Sequence, residues 1–178
     1  MSLSKSIPFI GLVCAVTTMS GLAATKDVQA NERCRAVHAH VETFLTSEAC
    51  QSPVGLCTKG HIVGGPFHAS TTFLTLNAAP AAGMPGTEPA ENLSYSGTFT
   101  ATQNDGTFVA SDLGVFDVSH EAFTELSRSV SGTGRFSDPS GTLTISGALI
   151  DNNTGFDGFA DGILCTDRPD DDWWPSDR

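Results

Sequence analysis

SVSGTGRFSDPSGTLTISG, residues 129–147, decides between two kinds of fold. A dinucleotide loop has the form G-x-G-x-x-G, follows a strand and opens a helix. Gly132 and Gly134 fit the first two glycines, but Ser137 stands where the third belongs. Pro139 and Gly141 then interrupt any helix, and TLTISG alternates as a strand does. The phosphate-loop reading fails on residues and on context. The glycine run reads instead as a turn between two strands, where glycine takes backbone angles that other residues avoid. Phe136 is expected to plug one end of a barrel. Arg135 beside it is either solvated or paired with a carboxylate.

Outward from that turn, short runs of Thr, Ser, Val and Phe alternate and are punctuated by Gly, Pro, Asn and Asp. RAVHAHVETFLT (residues 35–46) alternates Val37, Ala39 and Val41 against His38, His40 and Glu42. A helix over residues 33–46 is the weaker reading. GLCTKGHIVG and FHASTTFLTLN give the second and third strands, and AAPAAGMPGTEPAEN reads as a surface loop. LSYSGTFTATQ and GTFVASDLGVFDV are joined at Asn104-Asp105-Gly106, a strong hairpin signal. EAFTELSRSVS, GTLTISGALID and TGFDGFADGILC complete eight strands. Eight short strands with mostly short connections suggest a barrel or a sandwich. We take the fold as all-β, an eight-stranded antiparallel up-and-down β-barrel over residues 31–166. That strand number leaves room for one small ligand inside. Gly97, Gly114, Gly147 and Gly158 suit bends at barrel corners.

The two ends read differently. Residues 1–24 combine Lys5 with an apolar run ending in small residues, the pattern of a secretory signal peptide. Residues 167–178 form an acidic tail holding Trp173 and Trp174, expected to lie on an apolar surface or to dock a partner. Losing Lys5 with the signal takes the formal charge from −11 to −12. A chain this acidic repels phosphate backbones and anionic membranes, so neither nucleic acid nor a membrane is an expected partner. Cys34, Cys50, Cys57 and Cys165 remain after Cys14 is removed, an even number in an exported chain. Two disulfides follow. Of the three possible pairings we expect Cys34–Cys50 and Cys57–Cys165. A four-cysteine zinc site would want a close C-x-x-C pair, which is lacking.

Polar residues on inward faces are the candidate site. Asp112 shares a strand face with Phe108, Ala110 and Phe116, and burial there would raise its pKa toward an acid or base role. The bland reading makes it a hydrogen-bonded group at a bend beside Gly114. Glu125, between Phe123 and Leu126 and with Arg128 three residues on, is the second acid–base candidate; the competing reading is an adjacent-strand ion pair. Tyr95 shares its face with Leu93, Gly97 and Phe99, so its hydroxyl could orient a ligand; the competing reading is a half-exposed tyrosine at the rim. Phe108, Phe116 and Arg135 join Tyr95 as expected ligand contacts. His38, His40 and Glu42 share one face, and His61, His68 or His120 could complete a metal site in space. The opposite face is the apolar one, so we read these histidines as an exposed polar face and expect no metal. Asn92 and Asn152 begin glycosylation triplets. No Ser-His-Asp arrangement can be assembled, and paired cysteines leave no catalytic thiol.

The run SGTGRFSDPSGTLTISG, together with SPVGLCTKGHIVGG and SDLGVFD, resembles segments of dirigent proteins and of the wider allene-oxide-cyclase-like barrels. The resemblance covers residues 52–165. It implies an eight-stranded antiparallel barrel, often trimeric, with an apolar cavity that binds a small hydrophobic molecule and directs its stereoselective cyclisation or coupling without a cofactor. The catalytic aspartates of plant dirigents have no position-by-position match here. The expected function is therefore a secreted, cofactor-free cyclase, isomerase or dirigent-type protein. The alternative is a non-catalytic extracellular carrier, or a structural or adhesion protein acting through its tail.

Overall fold

The computed structural model describes residues 33–81, 92–152 and 154–167. The expected signal peptide, most of the Pro/Ala-rich loop, Asn153 and the tail from residue 168 onward lie outside the described residues. Eight strands follow in chain order: β1 Arg33–Leu45, β2 Cys57–Gly64, β3 Phe67–Pro80, β4 Asn92–Gln103, β5 Gly106–Asp117, β6 Ala122–Gly134, β7 Ser140–Ile150 and β8 Gly155–Thr166. Each pairs antiparallel with the next, and β8 pairs with β1 to close the barrel. Closure leaves no sheet edge with unpaired backbone groups. The strand reading of β1 holds over the helical one.

Alternation decides what goes inside. On β1, Val37, Ala39, Val41 and Thr43 are buried; on β5, Phe108, Ala110, Asp112 and Gly114 are. The intervening residues face out. The interior divides along its axis. At the end formed by the start of β5 and the end of β6, Phe136 is fully buried and stacked on Phe67, with centroids 5.4 Å apart and 17° between planes. Phe108 meets both rings, at 5.5 Å from Phe67 and 5.9 Å from Phe136. This end is closed, as the sequence predicts for Phe136.

The glycine run is less of a turn than its composition suggests. β6 continues through Gly132 and Gly134, and only residues 135–139 turn. Gly134 has a φ of +61°, and a methyl there would collide with the Asp105 carbonyl of the neighbouring hairpin. The close approach lets the Arg135 amide donate to that carbonyl at 2.9 Å. The Arg135 guanidinium pairs with the Asp105 carboxylate at 3.1 Å. Of the two readings for Arg135, the ion pair is the right one.

The disulfides correct the expected pairing. Cys34 is bonded to Cys165, and Cys50 to Cys57. Cys34 stands near the start of β1, and Cys50 lies beyond its far end. Eleven strand steps from Cys34 to Leu45, at ~3.3 Å each, already separate them by more than 30 Å, beyond the reach of a disulfide. Cys34 and Cys165 are direct partners across the β1–β8 seam, so their bond ties the first strand to the last at the closed end. Two disulfides fit folding in an oxidising compartment.

Candidate functional site

Among the described residues the opposite end of the barrel is open, and it holds an apolar cavity of about 300 Å³. The mouth is rimmed by Leu45, Leu56, Ala78, Leu93, Phe116 and Leu149. Deeper walls come from Val41, Thr43, Thr58, Phe73, Phe99, Phe123, Ile145 and Phe156. Among the described residues, Tyr95 and Glu125 supply the only ionisable side chains in this lining. The β1–β2 connection is fastened at the mouth. Besides the Cys50–Cys57 bond, the Ser52 hydroxyl donates to the Thr75 carbonyl at 2.6 Å and accepts from the Val54 and Leu56 amides. That knot fixes Leu56 at the rim.

Two glycines shape the floor. Tyr95 on β4, Gly114 on β5 and Glu125 on β6 lie side by side across the sheet. With no side chain at Gly114, the Tyr95 ring lies across β5, and its hydroxyl donates to Glu125 Oε1 at 2.7 Å. One step toward the closed end, Gly97, Asp112 and Ser127 form the next row. Phe73 occupies the space above Gly97 and meets Tyr95 edge to face at 6.1 Å. Asp112 therefore sits beneath the aromatic floor. It is 2 % exposed, and neither carboxyl oxygen has a hydrogen-bond partner. Its nearest polar neighbours are Ser127 and Glu125 on β6, which act weakly on its carboxyl.

Burial is the main electrostatic fact of this layer. It pushes Asp112 up to about 6, over the weaker opposing influence of the Ser127 hydroxyl and Glu125. It pushes Glu125 up to about 8, with the Asp112 charge adding to the rise and the Tyr95 hydrogen bond opposing it. Burial first, then the two carboxylates, holds the Tyr95 phenol far above its ordinary value, so it remains a neutral donor. Burial thus biases both carboxyls toward their protonated forms. That is the usual setting for an acid or base working at pH 7.

The sequence-expected residues separate. Tyr95, Phe116 and Glu125 line the cavity, with Asp112 directly behind. Phe108 and Arg135 do not. Phe108 is consumed by the closed-end cluster, and Arg135 faces Asp105. Glu125 points inward with Tyr95, whereas Arg128 is exposed, so that ion pair does not form. Phe73, Phe99, Phe123 and Phe156 are wall residues that the sequence reading did not single out. Their inward parity was visible; their height along the barrel was not.

The histidine face lies outside, on β8, β1 and β2. His38 pairs with Asp161 at 2.6 Å, His40 with Asp157 at 2.6 Å and His61 with Glu42 at 3.3 Å. His120 pairs with Asp117 at 2.8 Å, and the His68 amide donates to Gln103. No group of three or more His, Cys, Asp or Glu side chains arranged to hold a metal occurs among the described residues. Of the two glycosylation triplets, Asn92 is 2 % exposed and closed to a glycan in the folded barrel, while Asn152 is exposed.

Gly114→Ala tests this geometry. The new methyl would overlap the Tyr95 ring, so the ring must leave Glu125. The expected cost is about 1–3 kcal/mol in urea unfolding, the usual scale for overpacking. In a Tyr95→Ala background the cost should largely vanish, and additive losses would contradict the contact.

Comparison of the chain with protein-family models, with curated proteins and with solved structures found no match.

Proposed function

We propose that the barrel receives one small hydrophobic molecule through its open end, and that Glu125 moves a proton on it. The observation that carries this reading is a half-buried Glu125 at the floor of an otherwise apolar cavity, with the fully buried Asp112 behind it. Burying Asp112 is expensive, and no close hydrogen bond offsets the cost. Perturbed acids in a cleft mark functional sites. In this scheme Tyr95 orients Glu125, and Asp112 tunes it from below. The aromatic walls hold a flexible substrate in one conformation, so that cyclisation or coupling follows one stereochemical course. No step needs a cofactor. The resemblance of the G-T-G-R-F segment to dirigent and allene-oxide-cyclase-like barrels agrees with this chemistry. The disulfides and the N-terminal pattern agree with a secreted protein.

Native mass spectrometry after exposure to a hydrophobic extract of the source medium tests the reading. One small molecule per barrel is expected, converted by the wild type and returned unchanged by Glu125→Gln. A clean unliganded mass would overturn the cavity reading. A ligand returned unchanged by the wild type would leave a carrier.

A further inference from the structure

The cavity lining sorts ligands by charge. Among the described residues, apart from Glu125 and Tyr95 it is built from aliphatic, aromatic and threonine side chains, with no Lys, Arg or His. Behind the floor stands a second carboxyl, Asp112, buried and without a hydrogen-bond partner. A fatty acid or other carboxylate would bring its charge to the acidic floor with no cation to meet it. A pure hydrocarbon would leave buried carboxyl oxygens without donors, which is costly. A carboxylate offers about four acceptor sites, and the Tyr95 hydroxyl takes one at Glu125 Oε1.

We propose that the ligand is an apolar base, a small lipophilic amine whose nitrogen meets Glu125 and whose body lies against Phe73, Phe99, Phe116, Phe123 and Phe156. This deepens the preceding reading and rests on it. The amine enters in its neutral form past the apolar rim. Its nitrogen lone pair takes the proton of the Glu125 carboxyl; the O–H bond breaks as the N–H bond forms. The products are an ammonium and a carboxylate in contact, and no other reactant is needed. The ammonium supplies the donors the floor lacks, and ring faces within reach attract its charge. The groups facing Glu125 are Tyr95 from β4 and Asp112 from β5. The lining from β1, β2, β3, β7 and β8 is not ionisable.

Three probes that share one aromatic body provide the test: 1-naphthylmethylamine, 1-naphthylmethanol and 1-naphthoic acid, titrated calorimetrically into the full-length protein at pH 8 and pH 5. At pH 8 the amine should bind at least tenfold more tightly than the alcohol, and the acid more weakly than both. Lowering the pH to 5 favours the protonated form of both carboxyls, whose pKa values burial raises, and the ammonium–carboxylate contact needs Glu125 ionised. The amine should then lose at least tenfold in affinity and the alcohol almost nothing. Glu125→Gln should abolish the lead of the amine and spare the alcohol. Equal or tighter binding of the alcohol or the acid at pH 8 overturns the amine assignment and leaves the cavity reading in place. An amine affinity independent of pH overturns it as well, without recourse to a variant. If none of the three probes binds, the cavity reading falls with it.

Discussion

Raising the pH from 5 to 9 should destabilise this barrel by several kcal/mol, with Glu125→Gln removing most of the loss. The direction follows from proton linkage. Asp112 rises from an ordinary 3.8 to about 6, and Glu125 from 4.5 to about 8, so the folded chain binds protons more tightly than the unfolded chain. Their destabilising effect is absent below pH ~4. It grows as pH rises through the unfolded values and is complete above the folded ones. Every tenfold gain in proton affinity on folding corresponds to about 1.4 kcal/mol, and the mutual repulsion of the pair divides the total unevenly between the two sites. Exposed carboxylates act in the opposite sense. Asp117, held down by Ser119 and His120, and Asp105, held down first by Gln103, favour folding only while ionised. Their weak contribution disappears under acid conditions. Stability should therefore peak near pH ~4 and fall steadily above it. Urea midpoints measured across pH 4–9 check this, and a profile flat from 5 to 9 would show that the two carboxyls are not buried together.

Much of the fold was legible because period-two alternation is a local signal. Val37, Ala39 and Val41 declare the inner face of β1 within five residues, and Asn104-Asp105-Gly106 marks the β4–β5 turn. Parity also placed Asp112 and Tyr95 inside. It says which face a residue takes and nothing of its height in the barrel. Phe108 and Phe116 share a face of β5, yet one belongs to the closed end and the other to the mouth. Height depends on strand direction and on the stagger between strands, which are properties of the closed sheet. The cysteine pairing failed for the same reason. Cys34 and Cys50 are near in sequence, but the extended β1 carries them to opposite ends of the barrel. Gly97 and Gly114 fit bends by residue type. Their role in the barrel is to leave room for rings from neighbouring strands, and composition alone cannot separate a bend from a vacancy filled by another residue. Glu125 has an apolar neighbour in Leu126, so alternation alone does not fix the face it takes. Leu126 turns out to be 52 % exposed.

Phe136→Ala should be the most damaging single truncation in the closed half, at about 3–5 kcal/mol. The ring is fully buried and packed between Phe67 and Phe108, which are themselves 3 % and 0 % exposed. Collapse cannot fill the space easily. Phe67 and Phe108 are anchored on β3 and β5, and the turn carrying Phe136 is held by the Arg135–Asp105 contacts and by the Phe136 amide bonded to the Thr133 carbonyl at 3.1 Å. The cost therefore includes a cavity term in addition to lost burial. Phe136→Leu, which keeps most of the volume, should cost closer to 1 kcal/mol. The comparison separates lost packing from disruption of the turn, because both variants keep the turn backbone. The urea slope should stay constant while the midpoint falls. Ligand binding at the open end should survive in the folded fraction, since Phe136 contributes nothing to the lining there. A loss below 1 kcal/mol for Phe136→Ala would mean that the rings around it close the barrel without it, and that the G-T-G-R-F segment serves the Arg135–Asp105 contact alone.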